Sequence, residues 1–214
     1  MPSIIAKGLH DPVTAHTSRM ALVRSLNCDG RHAMGLALAL AALLLPLVGG
    51  DPLREAWRYE RAAIAAGQWW RLLSGHVVHL DAGHALLNAC GLALLWALFA
   101  RIYGPGRWLL TLALVIAVID AGFWWLSPGL RWYVGASGVL HGVFAAGCLA
   151  MIRARDRIGV IAGVLLVAKL AWEHWHGPLP FERADRVVTV AHLYGAAGGV
   201  LAGLLLRPRS QGLY

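Results

Sequence analysis

Charge is what this sequence has least of. Only 14% of its 214 residues are Asp, Glu, Lys or Arg, against about 25% in an ordinary soluble domain. Lysine is nearly missing, with Lys7 and Lys169 alone among 19 basic residues. Hydrophobic residues make up 58% and mean hydropathy is +0.60. A chain of this length cannot hide that much apolar surface in one soluble core, which argues against a soluble enzyme and against a disordered chain. Cysteine is scarce too. Cys28, Cys90 and Cys148 follow no ligand or disulfide spacing, so they read as small buried apolar residues and not as the staples of a secreted domain. Residues 1–31 lack the early positive charge of a secretory signal and read as a cytoplasmic tail. The strand alternation of a membrane barrel and the internal repeat of a transporter are also missing. The formal net charge is +8. In a membrane protein such an excess reports topology, so no nucleic-acid partner is expected.

What remains is a series of apolar runs separated by charges: 32–50, 82–100, 108–130 with Asp120 inside, 132–152, 158–172 with Lys169 near its end, and 187–206. A spanning helix needs about 20 such residues. The fifth run is short, and it is accepted because Lys169 lies close enough to its end to snorkel. The expected fold is an all-α membrane protein, a six-transmembrane-helix bundle in one domain over 32–206, with 207–214 as a cytoplasmic tail. Segments 1–31, 101–107, 153–157 and 207–214 hold 11 of the basic residues; 51–81, 131 and 173–186 hold seven. The larger count belongs in the cytoplasm, which puts both termini there. The first outer loop, 51–81, is too long for a plain connector. Within it, 53–65 carries Leu53, Trp57 and Ile64 on one face and predicts an interfacial helix. Most of the ten tryptophans fall near run ends, at the headgroup level.

Polar groups inside apolar runs are costly, so each asks for a reason. Ser137, His192, His84 and Asn88 stand out. In the six-helix arrangement all four lie near the same face of the membrane, whichever way the bundle is oriented. Gly138 and Gly142 recur at four-residue spacing in the fourth run, and Gly195, Gly199 and Gly203 in the sixth. Small residues so spaced let helices approach closely, and a crossing of these two would bring Ser137 to His192. A serine hydroxyl is a weak nucleophile until a base takes its proton. Gly135-Ala136-Ser137-Gly138 puts the serine at a tight helix entry, where free backbone N–H groups can face an oxyanion. His84 and Asn88 share one helix face and could donate to the same oxyanion; their plainer reading is as interhelical hydrogen bonds.

This constellation resembles the rhomboid intramembrane serine proteases. The likeness rests on Gly-Ala-Ser-Gly opening the fourth helix, Ala191-His192 with Gly195, Gly199 and Gly203, and His84-x-x-x-Asn88. Trp70-Arg71 and His79 add to it, and it covers roughly 68–206. The resemblance implies a Ser137–His192 dyad with no required third carboxylate, and an oxyanion hole of His84, Asn88 and the Ser137 N–H. It also implies a first loop embedded in the membrane beside the site, and a substrate gate at the fifth helix and its outer loop. One position departs from many members: His141 stands where an aromatic residue stacks under the histidine. Ser137-Gly-Val-Leu-His141-Gly142 looks like the rhombosortase branch of bacterial enzymes. That branch implies single-span membrane substrates with a C-terminal Gly-Gly-type anchor, and an inner-membrane site open to the periplasm. His141 could stack on His192 or bond into the oxyanion site. It does not read as the base, because it shares a helix face with Ser137.

Asp120 reads mainly as a polar contact within the bundle, with a triad carboxylate or an ion pair to Lys169 as the sharper readings. Glu173-His174-Trp175-His176, and the set His76, His79 and His84, lack the ligand count and geometry of a metal site. No metal or other cofactor is therefore expected. Besides substrate, the expected partner is membrane lipid. A transmembrane substrate must unwind to expose its scissile carbonyl, which small residues such as glycine ease. The acyl group then passes to water or to another amine. The alternative from another class is a catalytically inactive rhomboid-like binding or quality-control factor, which the intact Ser137 and His192 disfavour.

Overall fold

The computed structural model describes residues 30–178 and 188–208. Residues 1–29, 179–187 and 209–214, where the terminal tails and the outer gate loop are expected, lie outside the described residues.

The first helical stretch, Ala33–Trp57, changes character at Pro46. Helix α1 (Ala33–Leu44) passes into a 3-10 turn (Leu45–Gly49) and then into α2 (Gly50–Trp57). Proline lacks the N–H that would continue the α-helical ladder, which favours the tighter turn. The charges of α2 pair along its own surface, Asp51 with Arg54 at 2.9 Å and Glu55 with Arg58 at 2.7 Å.

The continuous interfacial helix expected over 53–65 is not formed. The chain breaks after Trp57, and Tyr59–Glu60 form a short strand, β1, antiparallel to β2 (Trp132–Tyr133). The cause is the Tyr59 ring, which is 1% exposed and meets Phe123 edge-on at 5.3 Å. Seating that ring in the core turns the chain out of the helical path. Two short helices follow, α3 (Arg61–Ala65) and α4 (Arg71–Ser74). Arg61 ties this loop to the bundle by donating to the carbonyls of Phe123 and Trp124 at 3.0 and 2.7 Å. Those carbonyls belong to a π-helical turn, Gly122–Leu126. Such a wide turn leaves acceptors that the usual ladder would have used. Arg71 donates to the carbonyls of Glu55 and Arg58, closing the loop on itself.

Helices α5 (Ala82–Phe99), α6 (Pro105–Ala121), α7 (Ser137–Arg153), α8 (Arg157–His176) and α9 (Thr189–Leu205) complete the bundle. Among the described residues, four stretches are long and apolar enough to cross a membrane: Ala33–Trp57, Ala82–Phe99, Pro105–Leu126 and Arg157–His176. Helices α7 and α9 are apolar but shorter, at 17 residues each. Lengths thus differ from the sequence runs in both directions. The run from 132 loses its first residues to β2 and to Gly135, whose φ of +121° no helix accommodates. The short fifth run instead gains a turn. It continues through Glu173 to His176, because Lys169 and Glu173, four residues apart, form an ion pair.

Helix α9 packs most extensively on α7, and next on α6. The contact is backbone against backbone. A Cβ at Gly195 would overlap the Gly138 carbonyl, and one at Gly199 would overlap that of Gly142. A Cβ at Gly138 would lie 2.8 Å from the Ala191 carbonyl oxygen. At Gly203 the nearest neighbours are atoms of the Leu149 side chain and not main chain, so the helices have begun to diverge there. With apolar lipid on one side and apolar helix on the other, close approach and dispersion provide the attraction, and glycine makes them possible.

Candidate active site

The close crossing places the first residues of α7 beside the first turn of α9. Ala191 is fully buried against Gly138. The neighbours of these two residues are Ser137 and His192. Ser137 Oγ lies 2.9 Å from His192 Nε2, and His192 is 2% exposed. Two groups far apart in sequence therefore meet at hydrogen-bond distance, within reach of direct proton transfer.

The other side of the imidazole is occupied. His192 Nδ1 lies 3.0 and 2.9 Å from the two carboxylate oxygens of Glu173. Glu173 comes from α8, is 4% exposed, and forms an ion pair with Lys169. The resemblance implied only a pair, and sequence reasoning weighed Glu173 solely as a metal ligand. Its signal was the Lys169-x-x-x-Glu173 spacing, which on a helix puts both groups on one face. Asp120, the acid weighed as a triad member or a partner of Lys169, is neither. It sits 3.3 Å from His76 Nε2, a polar contact within the bundle.

His141 stacks on His192 with ring centroids 4.1 Å apart and planes at 14°. Its Nδ1 donates to the Ser137 carbonyl at 2.7 Å, which fixes the ring. His141, Glu173 and His192 bring ligand-type atoms within 4.8 Å of one another. The two imidazoles are parallel, so their lone pairs lie in separate planes and do not converge as a metal would require. Of the two histidine sets weighed as metal ligands, His76 goes to Asp120 and His79 meets His84 edge-on at 5.1 Å. His176 stacks on Trp172.

Ser137 opens α7, so the backbone N–H groups of its first turn have no acceptor within the helix. His84 lies against Gly135: a Cβ there would come within 2.7 Å of the imidazole Cε1. Only glycine satisfies both that approach and the positive φ. Asp81 caps α5 by accepting from the His84 N–H at 2.8 Å. Asn88, one turn on, is buried and donates from Nδ2 to the His84 carbonyl at 3.1 Å. That donor is used within its own helix. Tyr133, unremarked in the sequence, donates to the Gly135 carbonyl at 2.6 Å and shapes the turn leading to Ser137. His79 is buried in the loop before α5. Burial, with His84 adding to it, pulls its imidazole down to about 4, so it is neutral at physiological pH.

An apolar cleft of about 900 Å³ lies elsewhere, between the first loop and α6. Its lining includes Ile64, Trp69, Ile116 and Trp124 and takes nothing from α7 or α9. The Ser137–His192 contact therefore lies outside this cleft, at the glycine-lined crossing.

Apolar helices long enough to cross a membrane, packed around a serine–histidine contact, mark an integral membrane protein. The rhomboid domain family matches residues 66–209, about two thirds of the sequence, and the chain belongs to that family. It is similar to "Putative rhomboid protease YdcA" of Bacillus subtilis (strain 168), with 26% identity over 151 residues covering 71% of this chain and 74% of that protein. It is also similar to "Rhomboid protease GluP" of the same organism, with 39% identity over 88 residues. That match spans 41% of this chain and only 17% of GluP. These relationships support intramembrane protease activity.

Proposed function

We propose that the chain is an intramembrane serine endopeptidase in which Ser137 is the nucleophile and His192 the general base and then acid. The observation that carries this reading is the 2.9 Å contact between Ser137 Oγ and a buried His192 Nε2. As Oγ bonds to the scissile carbonyl carbon, its proton passes to Nε2. When the tetrahedral intermediate collapses, the C–N bond breaks and the amine leaves with that proton. The Ser137 N–H, with His84 and Asn88, supplies the oxyanion hole. For Asn88 to take part, its Nδ2 must turn a second hydrogen toward the site, which an amide possesses. Gly135, Gly138, His141 and His79 support the site, Gly142, Gly195 and Gly199 hold the crossing, and Gly203 packs at its far end.

The catalytic domain covers 32–206. All six apolar helices cross or enter the membrane, the first loop is membrane-associated, and both termini are cytoplasmic. In a bacterial inner membrane the site then faces the periplasm. The substrates are single-span membrane proteins cleaved near their outer end. The Ser-Gly-x-Leu-His-Gly sequence and the His141–His192 stack favour the rhombosortase-like branch, and with it a C-terminal Gly-Gly-type anchor.

The test is cleavage in reconstituted proteoliposomes of a single-span peptide bearing a Gly-Gly segment at its outer end. Wild type should cut it, while Ser137→Ala and His192→Ala should not. A wild-type protein that binds the peptide without cutting it would favour the inactive binding factor. Equal cutting by all three would exclude this site.

A further inference from the structure

The serine–histidine reading leaves one costly group without a purpose. Glu173 is a buried carboxylate in an apolar helix, and such a group is tolerated only when paired and hydrogen-bonded. Both conditions are met with unusual economy of parts. Lys169 supplies the opposite charge from one turn earlier, and both carboxylate oxygens are turned to His192 Nδ1. A carboxylate serving only to neutralise Lys169 would have no need to face the imidazole. Lys169 itself is a quarter exposed and could reach water alone.

We propose that Glu173, paired with Lys169, is a positioning residue that fixes the tautomer and orientation of His192, completing a serine–histidine–glutamate triad. The inference rests on the Ser137–His192 reading and adds to it a third element on a third helix. A carboxylate only accepts, so Nδ1 facing it carries the hydrogen and Nε2 is left with the lone pair. That is the tautomer which can accept the Ser137 proton. After transfer the ring is a cation with both N–H groups occupied, and the negative charge of Glu173 stands directly opposite. The proton later leaves from Nε2 to the departing amine; Glu173 neither gains nor loses one. His141 covers one face of the ring while Glu173 sets its rotation within the plane, so the two constrain different motions. Because Glu173 belongs to α8, the arrangement is complete only while α8 is seated against α9.

The experiment measures kcat and KM per folded molecule for Glu173→Gln, Glu173→Asp and the double variant Lys169→Met/Glu173→Gln, in proteoliposomes with the Gly-Gly peptide. Folded protein is counted by size-exclusion chromatography and thermal unfolding. Glutamine can present its NH₂ to Nδ1 and invert the tautomer, and the corresponding change in serine proteases lowers kcat about 10⁴-fold. A fall of roughly 10²–10⁴-fold in kcat with KM within about twofold is expected for E173Q. E173D, which keeps the charge one methylene short, should recover part of the loss. The double variant removes both charges together, which buried pairs often tolerate without loss of stability. It should fold and remain slow. Wild-type kcat in E173Q or in the folded double variant would overturn the proposal, as would E173D no better than E173Q. If Ser137→Ala still cleaves, the protease reading itself has failed; if Ser137→Ala is dead while E173Q is fully active, only the role of Glu173 has.

Discussion

Adding one methyl group at Gly138 should pull Ser137 away from His192. In Gly138→Ala the new Cβ would sit 2.8 Å from the Ala191 carbonyl oxygen and 3.2 Å from the Ala191 carbonyl carbon and Cβ. Ordinary contact begins near 3.4 Å, so the backbones of α7 and α9 must part by about 0.6 Å at that level. Neither partner can rotate aside, because both are main chain or directly attached to it. Residues 138 and 191 are the immediate neighbours of the reacting pair. A Ser137–His192 distance of 2.9 Å would then stretch to about 3.5 Å, outside hydrogen-bond range. Overpacking costs about 1–3 kcal/mol, offset by up to about 1 kcal/mol from the better helix propensity of alanine. Net destabilisation is therefore small while the geometric damage is large. Misplacing reacting groups by about 1 Å can cost 10²-fold in rate, so kcat should fall by roughly ten- to a hundredfold in a protein that still folds. Gly203→Ala provides the contrast. Its Cβ meets the flexible Leu149 side chain at the far end of the crossing, and its kcat should stay within about twofold of wild type. The assay is peptide cleavage in proteoliposomes, normalised to folded protein. Wild-type kcat in G138A, or equal losses in G138A and G203A, would refute the view that this crossing sets the catalytic distance.

Two further predictions follow from the same site. His141→Phe keeps a ring over His192 and should retain kcat within about threefold, whereas His141→Ala should lose about three- to tenfold, the rate equivalent of an aromatic stack; equal rates in the two would show that the stack is idle. His79 has a native imidazole pulled down to about 4 from an ordinary value of 6.5. Between those values the unfolded chain binds a proton that the folded one does not, so the stability present above pH 6.5 is progressively lost down to about pH 4. The fall in Tm between pH 7 and pH 5 in detergent should thus be smaller in His79→Phe than in wild type; identical falls would contradict the burial argument.

Much of the candidate site was legible in the sequence because it is made of exceptions. Ser137 and His192 are polar in apolar runs, and Gly138, Gly142, Gly195 and Gly199 recur at one-turn spacing, so crossing and contact can be read together. The resemblance to rhomboids added the family, which the match over 66–209 shows. The contact of Glu173 with His192 escaped notice for a physical reason. An acid reads as the end of a membrane run, and only its pairing with Lys169 and His192, one local and one 19 residues away, makes it tolerable inside a helix. The helix expected over 53–65 is not formed for a related reason. That segment has a helical apolar pattern, but the Tyr59 ring is claimed by Phe123 and the strand partner Tyr133, contacts that exist only after folding. Residues 132–136 looked like the start of a helix because they are apolar; β2 and the positive φ of Gly135 reserve them for the turn that aims Ser137.

The central claim is that His192 activates Ser137 inside the membrane-embedded fold. Its most direct measurement is covalent labelling by a fluorophosphonate probe, followed by mass spectrometry of the modified peptide. In the wild-type protein a single label should appear on Ser137, and it should vanish in His192→Ala although that variant remains folded. Labelling of Ser137 that is undiminished without His192, or a label on any other serine, would contradict the account.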